Sequence, residues 1–80
     1  MRYEVSTTLT PQQIVEHASA HFGSQGFGLE NTSRDDGCLV FEGGGGYVAI
    51  TIQPGDRKTT VELETREWDR AVEQFMRQVH

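Results

Sequence analysis

His17 and His21 stand four residues apart, the spacing that sets two imidazoles on one helix face. Two such rings can hold zinc, copper or nickel. A zinc-protease helix also needs Glu directly after the first His, and Ala18 stands there. The two rings flank an apolar stripe, so they read more simply as boundary residues. Glu62 and Glu64 alternate with Val61 and Leu63, and with Glu4 and Arg66 they could cluster their charges. Paired carboxylates do acid–base work only in a cleft that splits their pKa values. An open sheet face supplies none, so a solvated charged face is the plainer reading. Cys38 lies in an apolar strand with no histidine near it in sequence, so it reads as an inert thiol. Gly43-Gly44-Gly45-Gly46 invites comparison with phosphate-cradling loops. Those loops lead into a helix, whereas here a strand follows and no Gly-Lys-Ser/Thr is present, so a flexible hairpin tip is expected.

The elements that must position these residues follow from periodicity. Tyr3, Val5, Thr7 and Leu9 alternate with polar residues and predict a strand with one buried face. Thr10-Pro11-Gln12-Gln13 carries N-cap, first-turn proline and capping box. Ile14, Val15, Ala18 and Phe22 then share one side of a helix over Pro11 to Phe22, stopped at Gly23. Phe27 and Leu29 open a weaker second strand reaching about Arg34. After it, a three-residue Asp35-Asp36-Gly37 loop would set Phe27 and Leu29 on the face of Leu39. A two-residue Asp36-Gly37 loop would put Thr32 and Arg34 there instead; burial favours the first. Leu39 to Leu63 reads as a three-stranded meander. Whether the turn uses Gly44-Gly45 or all four glycines, Phe41 pairs with Val48 and Leu39 with Ile50. The turn from Pro54 to Lys58 then pairs Ile52 with Val61 and Ile50 with Leu63. Trp68, Val72, Phe75, Met76 and Val79 recur at helical spacing and predict a second helix over Trp68 to Val79.

The chain of 80 residues is thus expected to be one domain, 1–80, of the α+β class. Its predicted architecture is a two-layer sandwich: an antiparallel five-stranded sheet in the order β-α-β-β-β-β-α, with both helices on one face. Twelve acids against 7 Lys and Arg give a net charge of −5. That sign argues against nucleic acid and anionic membranes as partners. A lone cysteine permits no internal disulfide and suits a reducing compartment. The opening residues carry no charged n-region followed by an apolar stretch, so no secretory signal is expected and a cytoplasmic location is.

The order of elements resembles one half of a TATA-box-binding protein, and also a shortened helix-grip fold of lipid- and hormone-binding proteins. The string Phe41-Glu42-Gly43-Gly44-Gly45-Gly46-Tyr47, with the later Glu67-Trp68-Asp69, is similar to stretches of small bacterial proteins. The first resemblance implies that the outer sheet face is the working face. In this chain the register puts Val40, Tyr47 and Ala49 there beside Arg66, an apolar strip suited to a protein contact or a symmetric homodimer. TATA-box-binding proteins use that face on DNA with basic side chains, whereas Glu4, Glu42, Glu62 and Glu64 stand there in this chain. The expected function is a non-catalytic interaction module working through that strip, with no cofactor. The alternative is a carrier holding an apolar molecule between sheet and helices, although the apolar residues are scarcely enough to fill a core. A metal-dependent enzyme using His17 and His21 ranks last.

Overall fold

The computed structural model describes residues 1–35 and 37–80. Its elements are β1 (Arg2–Thr7), α1 (Pro11–Phe22), β2 (Glu30–Asp35), β3 (Cys38–Gly43), β4 (Gly46–Pro54), β5 (Thr59–Arg66) and α2 (Asp69–Val79). The five strands form one antiparallel sheet in the order β1-β5-β4-β3-β2. Both helices pack on one face, so the expected α+β sandwich is the fold.

Helix α1 begins at the expected capping box. The Gln13 amide donates to Thr10 Oγ1 at 3.2 Å, and the Thr10 amide donates to Gln13 Oε1 at 2.9 Å. Its buried stripe is Ile14, Ala18 and Phe22. Helix α2 buries Ala71, Val72, Phe75 and Val79, and Trp68 is its N-cap rather than its first helical residue. Glu67, between β5 and α2, takes φ of 76°, the left-handed region, where the chain reverses into the helix.

The meander has the expected register throughout: Phe41 opposite Val48, Leu39 opposite Ile50, Ile50 opposite Leu63, and Ile52 opposite Val61. The turn is Gly44-Gly45, both at positive φ, as a two-residue hairpin requires.

The second strand departs from expectation. Asp35 pairs with Cys38 and Arg34 with Leu39, so the three-residue loop is not formed. Asp36, in the middle of that expected turn, lies outside the described residues. Arg34 therefore begins opposite a core residue, and an irregularity between Asn31 and Ser33 then shifts the phase, setting Asn31 opposite Phe41. The strand also starts later, at Glu30. The Phe27 and Leu29 amides donate instead to the His21 and Phe22 carbonyls, at 3.0 and 2.8 Å, closing the end of α1. Leu29 is buried by this arrangement, whereas Phe27 is 42% exposed.

The space between sheet and helices is filled with side chains. Phe22, Phe41 and Phe75 are fully buried, with ring centroids 5.7 Å apart for Phe22 and Phe41, and 5.3 Å for Phe22 and Phe75. Buried hydroxyls have partners: Thr59 donates to the Leu9 carbonyl and Thr65 to the Tyr47 carbonyl, both at 2.8 Å.

Candidate functional site

Alternation along four strands brings the expected residues together on the outer face. Val40 pairs with Ala49, Ala49 with Glu64, and Glu64 with Arg2, so these four form one row across β3, β4, β5 and β1. The next row holds Glu42, Tyr47 and Arg66. Val40, Tyr47 and Ala49 are half-buried and Arg66 is exposed. The strip is thus partly covered by its own neighbours. Tyr47 reaches diagonally to β5, and its hydroxyl donates to Glu64 Oε2 at 2.7 Å. The other oxygen of that carboxylate meets Arg2 Nη2 at 3.2 Å. Glu64 and Arg2 border a depression of about 130 Å³ over the small residues Ala49 and Thr51.

This chain of contacts sets the ionisation of its members. The hydrogen bond to Glu64, then partial loss of water, hold the Tyr47 phenol above its ordinary range. The same bond, with the Arg2 charge, holds the Glu64 carboxyl below its ordinary range.

Acids face one another on either side of the strip. Glu4 is the register partner of Glu62, and Glu30 of Glu42. Like charges directly opposite on one sheet face weaken the pairing. Glu42 is relieved in part by the Thr32 hydroxyl, which donates to it at 2.6 Å. The outer face therefore has an apolar middle with an acid pair on each side, and Arg66 and Arg2 stand beside the pair on β5 and β1.

The other candidates are engaged elsewhere. His21 sits in the seam between the helices, 2.8 Å from the Ala71 carbonyl through Nε2 and 3.1 Å from Gln78 Nε2 through Nδ1. A carbonyl only accepts, so Nε2 carries the proton, and Nδ1 then accepts from the amide. Both ring nitrogens are spent on joining α1 to α2. His17 is exposed, and among the described residues no three His, Cys, Asp or Glu side chains gather as a metal set would. Cys38 is exposed between its register partners Asp35 and Thr51. The glycine hairpin lies beneath Trp68, whose indole N–H donates to the Gly43 carbonyl at 2.9 Å. A Cβ at Gly44 would stand 2.9 Å from the indole ring. The tip is a seat for Trp68 rather than an open cradle for phosphate.

Sequence reasoning found the strip but missed its lock. Arg2 becomes a neighbour of Glu64 only once β1 is known to flank β5, and no local pattern says so. The pairing of Trp68 with the glycines had a signal: a run of small residues makes room for one large ring. No known family model matches the chain, and no curated protein matches it. Among the described residues no helix is long and apolar enough to cross a membrane.

Proposed function

We propose that the chain is a non-catalytic interaction module that binds a partner protein through its outer sheet face. The observation that carries this reading is the half-buried strip of Val40, Ala49 and Tyr47 held between the acid pairs Glu4/Glu62 and Glu30/Glu42. The complementary partner surface has an apolar middle and basic flanks, which would relieve the like-charge pairs as it covered the strip. Two copies stacked face to face would instead add acid to acid. The order of elements, which resembles one half of a TATA-box-binding protein, would make the outer face the working face, and the acids there speak for a protein rather than nucleic acid. The free Cys38 fits a reducing setting such as the cytoplasm. The side chains buried between sheet and helices weigh against the alternative of an apolar-ligand carrier, which would need room there.

Cross-linking in cells tests the proposal. The wild-type chain should trap a partner that Val40→Glu and Glu62→Lys both lose, and that Arg57→Glu, on the remote β4–β5 turn, retains. Equal trapping by all four chains, or trapping by none, rejects the outer face as the binding surface.

A further inference from the structure

The sheet has two outer edges, and they are built differently. Edge strand β2 is irregular at Asn31 and Ser33, and the Asn31 side-chain amide donates to the Val40 and Ser33 carbonyls at 2.9 and 3.0 Å. Every residue of β2 is polar. A bulge and polar side chains are how sheet edges avoid pairing.

Edge strand β1 has no bulge: its ladder with β5 runs unbroken from Arg2 to Thr7, and Tyr3 and Val5 stand among its residues. Its phase follows from residue 1: the Met1 amino group donates to the Thr65 carbonyl at 3.0 Å, and the Thr65 amide donates back to the Met1 carbonyl at 2.9 Å. Pairs that exchange both bonds recur every second residue in an antiparallel ladder. Tyr3, Val5 and Thr7 therefore bond inward to Leu63, Val61 and Thr59. The N–H and C=O groups of Arg2, Glu4 and Ser6 point off the sheet. Along this edge, between β1 and α2, runs an open groove of about 700 Å³ whose walls include Tyr3, Val5 and Met76.

The charges of the groove are sorted by position. The Tyr3 hydroxyl donates to Asp69 at 2.6 Å, which fixes the start of α2 beside the start of β1. From there α2 runs back along the edge, and its Glu73, Met76, Arg77 and His80 line the groove in that order. Glu4 and Glu73 thus come first along the groove, and Arg77 and Lys58 come later, Lys58 being next to Thr59 and so opposite the end of β1. Arg2 stands at the acidic end but is held on the outer face by Glu64.

We infer that β1 pairs with β1 of a second copy of this chain, antiparallel about a two-fold axis, to make a ten-stranded sheet. Antiparallel pairing sets the acidic end of one groove against the basic end of the other; parallel pairing would set like against like. The register centred on Glu4 would oppose two carboxylates, whereas the register centred on Val5 sets Glu4 opposite Ser6 of the second copy. This surface meets the acidic margin of the outer face at Glu4, but the outward backbone of β1 lies apart from Val40, so Ser6→Pro and Val40→Glu test the two assignments separately.

Sedimentation equilibrium of the full chain, with amide hydrogen exchange, tests the pairing. The wild type should approach the mass of two chains at micromolar concentration and above, and exchange at Glu4 and Ser6 should slow as dimer forms. Ser6→Pro removes an outward N–H while leaving the bonds to β5 intact, and should weaken the dimer at least about tenfold. Glu73→Lys and Arg77→Glu should each weaken it, and the two together should recover part of it, because positions 73 and 77 again attract across the axis with their signs exchanged while Glu4 and Lys58 keep theirs. A monomer at every concentration overturns the inference, as does a dimer indifferent to Ser6→Pro. A dimer lost in Val40→Glu but kept in Ser6→Pro also overturns it, and assigns self-association to the outer face.

Discussion

Tyr47 and Tyr3 each donate a hydrogen bond to a carboxylate, and that bond delays the ionisation of each phenol. Tyr3, bonded to Asp69 and partly shielded from water, is pushed up to about 12, and Tyr47 is raised through Glu64. For both phenols the folded state favours the protonated form. Their contribution to stability is complete below the ordinary tyrosine range and fades as pH climbs through the raised values. Glu64 runs the other way: its carboxyl is lowered from 4.5, so its contribution is present above that value and lost as pH falls through the folded one. Tyrosinate absorbance checks the pattern. At pH 10 both tyrosines should be less ionised than free tyrosine, and Glu64→Gln should bring Tyr47 down toward its ordinary range while leaving Tyr3 near 12. Strand parity was enough to place Tyr47 on the outer face. Its partner was not legible, because a diagonal reach depends on the rotamer of a long side chain rather than on which face it occupies.

The β3–β4 hairpin and the β5–α2 junction hold each other through Trp68 on the glycine turn. Gly44 and Gly45 both have positive φ, at 59° and 80°, but only Gly44 lies against the indole. Alanine at Gly45 therefore meets backbone strain alone, about 1 kcal/mol. Alanine at Gly44 adds a collision with the ring, for a total of about 2 to 3 kcal/mol. Urea unfolding of the two variants should show this order, and only Gly44→Ala should shift Trp68 fluorescence in the folded state. The meander could be read from sequence because both possible turns gave Leu39 and Phe41 the same partners. The second strand could not. The amides of Phe27 and Leu29 were claimed by the end of α1, and the irregularity at Asn31 to Ser33 reversed the alternation on which any register argument depends.

At the scale of the molecule, one layer of side chains joins sheet to helices, and Phe75 touches the centre of it. Its ring stacks near Phe22 and His21, with centroids 5.3 and 5.9 Å away. Truncating a buried phenylalanine costs about 3–5 kcal/mol, and a chain this size has about 4–12 kcal/mol in all. Phe75→Ala should therefore lose about a quarter or more of the stability, seen as a lower urea midpoint at an unchanged slope. The class and order of the fold were legible because each element carries its own period. The ordering of strands across the sheet was not, since β1 and β2 are separated only by α1 in sequence yet lie at opposite margins. Those margins bear on how far an assembly can grow. Addition of sheet to sheet continues without limit only when each new copy offers a fresh site, as in a fibre. The irregular β2, with Asn31 turned back onto its own backbone, acts as a terminator. With one reactive end and one blocked end per chain, growth by strand addition stops at two, so the same asymmetry that permits a dimer forbids a filament.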